Sequence, residues 1–224
     1  MPAKFRPALA ELIGTFAYCF IGAGSIVVDG YTHGAVGLLG LALAQGLVLA
    51  IMVSTFGAIS GGHFNPAVTI GVWVARKVTL GTVILYMVAQ FIGAAMAGFL
   101  LRGIFPAEIW MPVHLGTPAL TVGLTPLTGL ILEAVLTFFL VLAFLGTAMD
   151  SMAPKIGGFG IGLMVAVDIL VGGPLTGAGM NPARVFGPAL AAGFWENHWI
   201  YWVGPIAGGA FASWLYTRFL SETV

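Results

Sequence analysis

The chain has 224 residues, 59% of them hydrophobic and 7% charged, with eight basic and eight acidic side chains that cancel. A mean hydropathy of +1.05 excludes a soluble globular domain, and zero net charge gives no basic surface for nucleic acid. What remains is a polytopic membrane protein, an all-α chain whose backbone must satisfy its own polar groups.

In chain order, Lys4 and Arg6 precede an apolar run from Leu9 to Val28 with no convincing cleavage site, so that run is expected to be a first span rather than a leader. Its cysteine, Cys19, is the only one, so no intrachain disulfide can form, and it reads as a small buried hydrophobe. Full-length runs lie near 8–28, 35–56, 82–101, 127–147, 157–174 and 199–219. Two shorter runs, 65–75 and 181–191, start at Asn65-Pro66-Ala67 and Asn181-Pro182-Ala183. About 11 residues at ~1.5 Å each cover roughly 16 Å, half of a ~30 Å hydrocarbon core. Asn is a good N-cap and Pro at the first helical position loses no hydrogen bond, so each tripeptide predicts the start of a half-helix. The segments before them, Ser60-Gly61-Gly62-His63 and Gly177-Ala178-Gly179-Met180, are non-helical backbone at membrane depth and need a water-lined cavity beside them.

If six spans alternate and both half-helices re-enter, Lys4, Arg6, Arg76, Lys77, Lys155 and Arg218 fall on one side, cytoplasmic by the positive-inside rule, with both termini inside. Arg102 starts an opposite-side connection, and Arg184 lies inside the second half-helix. The chain also repeats. Glu11-Leu-Ile-Gly-Thr15-Phe16 and Glu133-Ala-Val-Leu-Thr137-Phe138 open two halves, each with two more apolar runs and an Asn-Pro-Ala. Three spans per half make the copies inverted, an architecture of channels and transporters. The expectation is one domain over 1–224, with repeats of about 1–110 and 120–224.

Gly61-Gly62-His63-Phe64-Asn65-Pro66-Ala67-Val68-Thr69, Gly179-Met180-Asn181-Pro182-Ala183-Arg184 and His198-Trp199-Ile200-Tyr201-Trp202-Val203-Gly204-Pro205 resemble the signatures of the aquaporins, the major intrinsic protein family. The resemblance spans essentially the whole chain. It implies six tilted transmembrane helices around two re-entrant half-helices, a pore in each protomer of a homotetramer, and single-file water. It also implies no cofactor, and water, small uncharged solutes and the bilayer as the partners.

Two Asn amides where positive helix ends converge can donate to a water oxygen, and the field opposes cations. The carbonyls of Gly61, Gly62, His63, Gly177, Ala178 and Gly179 are expected acceptors along the path. Arg184, about 4.5 Å beyond Asn181, is expensive in an apolar slab and reads as a donor at the narrowest point. By the resemblance it shares a constriction with Gln45, Ile169 and Ala178. Water-selective relatives usually carry Phe and His where Gln45 and Ile169 stand, so a wider, partly apolar opening is expected, with ammonia, urea, glycerol or hydrogen peroxide as further passengers. By the same resemblance, Val185 and Ala189 stand where glycerol facilitators carry Asp and a basic residue, Tyr201-Trp202 looks like the aromatic pair of water channels, and 224 residues leave no room for the longer loops of glycerol relatives, which implies water as the main substrate.

The expected function is a passive water channel that also passes small neutral solutes and refuses protons and ions. The alternative is a glycerol, urea or ammonia facilitator with water as the lesser substrate. Glu11 and Glu133 read as braces that accept from free N–H groups of the loops, against proton coupling in a transporter. Asp168, about 100° around the fifth span from Ile169, is expected to face a neighbouring helix or the extracellular vestibule. No Gly-x-Ser-x-Gly or Cys/His constellation is present, His33, His114 and His198 are too scattered for a metal, and His63 has no evident acidic partner and reads as a packed loop histidine rather than a pH gate, so catalysis is not expected. The setting expected is a plasma or bacterial inner membrane.

Overall fold

The computed structural model describes residues 5–150, 152, 154 and 156–221, so Lys4 and Lys155 of the charge argument lie outside the described residues. The helices are α1 Phe5–Tyr31, α2 Gly37–Ser60, α3 Pro66–Val74, α4 Leu80–Ile104, α5 Ala107–Trp110, α6 Pro126–Phe144, α7 Phe159–Thr176, α8 Pro182–Ala192 and α9 Ile200–Leu215. Five of them (α1, α2, α4, α7, and α6 extended by a π-turn to Met149) are long and apolar enough to cross a bilayer. The sixth span, α9, has 16 residues and is carried on by a π-turn over Tyr216–Leu220. The half-helices start and stop within a residue of the sequence expectation.

Local chemistry sets the ends. Asn65 and Asn181 sit in extended backbone as N-caps, each Oδ1 accepting from the amide two residues on (Ala67 at 2.8 Å, Ala183 at 3.0 Å). Gly61 and Gly177 stop α2 and α7 in the left-handed region, at φ +90° and +79°, as a C-cap glycine does. Asp29 at the end of α1 accepts from the Val36 and Gly37 amides and so launches α2.

Packing follows the repeat. Helices α1, α2 and α4 pack together as α6, α7 and α9 do, and each half-helix packs against the last span of the other half, α3 on α9 and α8 on α4. The halves also meet directly where α2 crosses α7, with Gly46 and Gly162 each facing the other's carbonyl. A methyl at either position would enter backbone. Gly98 against Gly187 makes the same close approach between α4 and α8. Without a hydrophobic force between spans in lipid, this contact and the buried hydrogen bonds below hold the bundle. The outer faces of α1, α2, α4, α6 and α7 keep Leu, Ile and Val exposed, as a lipid-facing surface requires.

Candidate functional site

The half-helices meet at their N-termini, and the joint is reciprocal. Asn65 Nδ2 donates to the Met180 carbonyl at 2.9 Å, and Asn181 Nδ2 donates to the Phe64 carbonyl at 2.8 Å. Each Oδ1 is held by its own half-helix, so each amide's orientation is fixed at both ends and one N–H of each remains free among the described residues. A narrow cavity of about 10 Å³, room for a single water, lies beside them. Its walls are both Asn residues, Gly62, His63, Tyr18 and the apolar Leu49, Val68, Leu140, Phe144 and Ile161.

Each loop leading to that joint is braced by a fully buried carboxylate. Glu11 accepts from Ser60 Oγ at 2.7 Å, from the His63 and Phe64 amides at 2.9 and 2.6 Å, and from Gln90 Nε2 at 2.8 Å. Glu133 accepts from Thr176 Oγ1 at 2.6 Å and from the Gly179 and Met180 amides at 2.9 and 2.7 Å. Ser60 and Thr176 each also accept from an amide two residues on, and Tyr86 and Tyr201 donate to their carbonyls. These bonds force Phe64, Ala178 and Met180 into positive φ (48°, 46° and 51°), a conformation L-residues adopt only when their surroundings impose it. The carbonyls of Gly61, Gly62, His63, Gly177, Ala178 and Gly179 accept no hydrogen bond among the described residues.

Arg184 is buried completely. Its Nε and Nη2 donate to Gln45 Oε1 at 3.4 and 3.3 Å, and its Nη1 donates to the Gly116 carbonyl at 3.0 Å. It pairs with no carboxylate among the described residues. Three of its five N–H groups are therefore used, leaving one on each terminal nitrogen. Ile169 and Ala178 lie in one buried apolar cluster with Tyr18, Leu49 and Val165. Gln45 thus meets Arg184 directly, and Ile169 and Ala178 share a cluster with wall residues of the cavity. Asp168 is also buried, with Oδ2 unpartnered.

His63 Nδ1 is 3.1 Å from Thr69 Oγ1, and Gln90 Nε2 donates to that hydroxyl at 2.9 Å while it reaches Glu11. The His63 ring stands edge-on to Tyr86 and Phe144, so it is packed into the wall. Beyond Gly61 a cavity of about 430 Å³ opens, bordered by Ser54, Gly57, Asp150 and Gly157. There the Met152 amide, and next the Tyr216 hydroxyl, hold the Asp150 carboxyl below its ordinary range. At the other end Arg102 Nη1 donates to the Ala191 carbonyl at 2.6 Å, capping the C-terminus of α8.

Sequence reasoning missed Gly116, Gln90, Thr69, Ser60, Thr176 and Tyr86. A hydroxyl residue closing the helix before each glycine-rich loop was a readable signal for Ser60 and Thr176. Gly116 had none, because its segment, Met111–Gly116, is shaped by left-handed His114 and Leu115 rather than by glycine alone.

A family model described as "Major intrinsic protein" matches residues 2–216. The chain is 46% identical over 219 residues to "Aquaporin TIP4-4" of Zea mays, covering 94% of this chain and 85% of that protein. It is 42% identical over 243 residues to "Probable aquaporin TIP3-2" of Arabidopsis thaliana, covering 100% and 86%. In fold it is similar to the aquaglyceroporin of Plasmodium falciparum, with a TM-score of 0.84, 23% identity and 96% of both chains covered.

Proposed function

The chain belongs to the major intrinsic protein family, integral multi-pass membrane channels and not enzymes, and from that premise we propose that it conducts water passively, admits small neutral solutes and refuses protons and ions. The observation that carries this reading is the crossed pair of bonds from Asn65 to Met180 and from Asn181 to Phe64. Each amide keeps one N–H for a passing molecule. Two fixed donors converge on a space for one water, and a water whose oxygen takes both must turn its own protons along the conduit, away from each other. Along the rest of the path the next bonds go to the free carbonyls of Gly61, Gly62 and His63 on one side and Gly177, Ala178 and Gly179 on the other.

Such a file has no continuous donor-to-acceptor direction through its middle, which stops proton hopping. The two half-helix N-termini, each worth roughly half an elementary charge, and the unpaired guanidinium of Arg184 add a positive field against cations, hydronium included. Gln45, Ile169, Ala178 and Arg184 form the selectivity filter in this reading, Gln45 serving to orient the guanidinium. Glu11 and Glu133 hold the loops and do not titrate during transport, since every donor they receive is a structural one.

The whole of 1–224 acts as one channel domain with inverted repeats of about 1–110 and 120–224. It works as a homotetramer in a cell membrane with both termini cytoplasmic. A second reading, a facilitator of glycerol, urea or ammonia with water as the lesser substrate, is favoured by Gln45 and Ile169, which leave out the bulk of Phe and the ring of His.

Stopped-flow light scattering on proteoliposomes tests the ranking. Under an impermeant osmolyte, vesicles with the protein shrink much faster than bare lipid, and under glycerol or urea gradients they re-swell more slowly than they shrank. Solute flux that outpaces water per unit gradient would replace the first reading by the second.

A further inference from the structure

The cations of this chain are used in two ways. Arg102 and Arg184 donate to backbone carbonyls, those of Ala191 and Gly116. The side chains of Arg76, Lys77 and Arg218 donate no hydrogen bond and meet no carboxylate at ion-pair distance among the described residues. All three border one cavity of about 540 Å³, at the foot of the half-helix α3 and beside the π-turns that end α6 and α9. Its acid, Asp150, is already engaged, Oδ1 accepting from the Met152 amide at 2.9 Å and Oδ2 from the Tyr216 hydroxyl at 2.7 Å, with Lys77 within electrostatic reach. Three positive charges against one carboxylate and roughly half a charge at the carboxyl end of α3 leave a surplus of about one and a half.

The backbone sets these cations on the cavity deliberately. Helix α3 ends in a Schellman turn, the Arg76 amide donating to the Trp73 carbonyl at 2.8 Å and the Lys77 amide to the Val72 carbonyl at 3.0 Å. Arg76 takes the left-handed position of that turn, φ +59°, where glycine is the ordinary occupant. A guanidinium thus stands where the backbone would rather have no side chain. Trp214 says what kind of molecule can enter. It lines the same cavity and is 50% exposed, on the outward stripe of α9 with Val203 and Phe211. The cavity therefore reaches the perimeter of the bundle at the end of a span, the depth at which tryptophan and lipid headgroups meet.

We propose that this cavity binds the headgroup of an anionic phospholipid, with the phosphate held by Arg76, Lys77 and Arg218 and the glycerol and upper acyl chain lying on Trp214. Guanidinium suits phosphate because its fork of N–H groups meets two oxygens at once. A lipid seated there ties the foot of α3 to the ends of α6 and α9, and so holds a half-helix from outside the pore. The inference goes beyond the conduction reading and stands whatever the pore passes.

The test is native mass spectrometry of the detergent-released protein, titrated with phosphatidylglycerol and with phosphatidylcholine of the same chains. The proteins are the unaltered chain, Arg218→Gln, a triple variant combining Arg76→Gly, Lys77→Gln and Arg218→Gln, and Arg6→Gln, which removes an exposed cation that is not among the residues bordering the cavity. Glycine suits the turn at position 76, so the triple variant keeps its backbone. The unaltered chain should bind phosphatidylglycerol at least about tenfold more tightly than phosphatidylcholine, and Arg218→Gln should lose about fivefold of that preference. The triple variant should bind both lipids alike, and Arg6→Gln should stay within about twofold of the unaltered chain. Equal binding of the two lipids by the unaltered chain overturns the inference, as does a preference that survives the triple substitution or falls as far in Arg6→Gln as in Arg218→Gln. Should the triple variant not assemble, Arg218→Gln against Arg6→Gln decides by the same criterion. Displacement of phosphatidylglycerol by an equal concentration of soluble glycerol phosphate would overturn the assignment to lipid in favour of a free phosphate compound.

Discussion

Set side by side, the halves use one device to hold their loops and different residues one turn into their half-helices. Glu11 with Ser60 and Tyr86 corresponds bond for bond to Glu133 with Thr176 and Tyr201. One helical turn into the half-helices the likeness ends. The residue three beyond Asn65 is Val68, a wall of the central cavity, whereas the residue three beyond Asn181 is Arg184, held by Gln45 and Gly116. The first half fills its extra space with His63, Thr69 and Gln90, a network the second half lacks. The shared part is what the backbone needs at membrane depth. The unshared part is where selectivity can differ between the two mouths.

The largest effects should come from the shared part. Glu11→Ala and Glu133→Ala each leave several buried donors unmet, a loss on the order of 3–5 kcal/mol. Detergent-solubilised melting temperatures should fall by roughly 10 °C for both. A large fall for one alone would show that the two braces are not equivalent.

Next comes the asymmetric residue. Arg184→Val makes the second half-helix resemble the first and removes the guanidinium charge. Proton flux measured with a trapped pH dye should rise about tenfold, with water flux kept within about twofold. No change in the dye signal would mean that the half-helix ends and the Asn pair suffice for exclusion.

A smaller change is expected from Gln45→Phe combined with Ile169→His, which narrows the opening beside Arg184. Glycerol and urea flux should fall several-fold more than water flux, on the order of 1 kcal/mol of discrimination. Unchanged ratios would remove these two positions from the constriction. Smallest is Thr69→Val, which breaks the bridge between His63 and Gln90 only in the first half. It should cost about 1 kcal/mol and lower the melting temperature by roughly 3 °C, with flux unaltered.

The division also explains what the sequence made legible. Both half-helices, the inverted order and the pairing of each glutamate with its loop follow from residue types with one physical use at that place, such as Asn-Pro at a helix start or Glu inside an apolar run. The structure brings Arg184 and Gln45 into contact, two positions that only the family resemblance had grouped together. Gln90 was unreadable because one amide in a long apolar helix carries no sign of which face it occupies. The Gly116 carbonyl was equally hidden, since its position depends on a turn built by His114 and Leu115 at φ +45° and +56°, which no turn signature marks. The spans continue past Phe144 and Leu215 as π-turns to Met149 and Leu220, so the ends read from hydropathy, 147 and 219, fall within two residues of those ends.

The central claim is that the two crossed Asn residues pass water while breaking its proton chain. The most direct measurement puts an impermeant osmotic step and an imposed pH difference across the same proteoliposomes, following light scattering and an internal pH dye together. The account predicts shrinkage many times faster than in protein-free vesicles while the dye drifts no faster than in bare lipid. Shrinkage at the bare-lipid rate, or a pH difference that collapses along with the volume change, would contradict it.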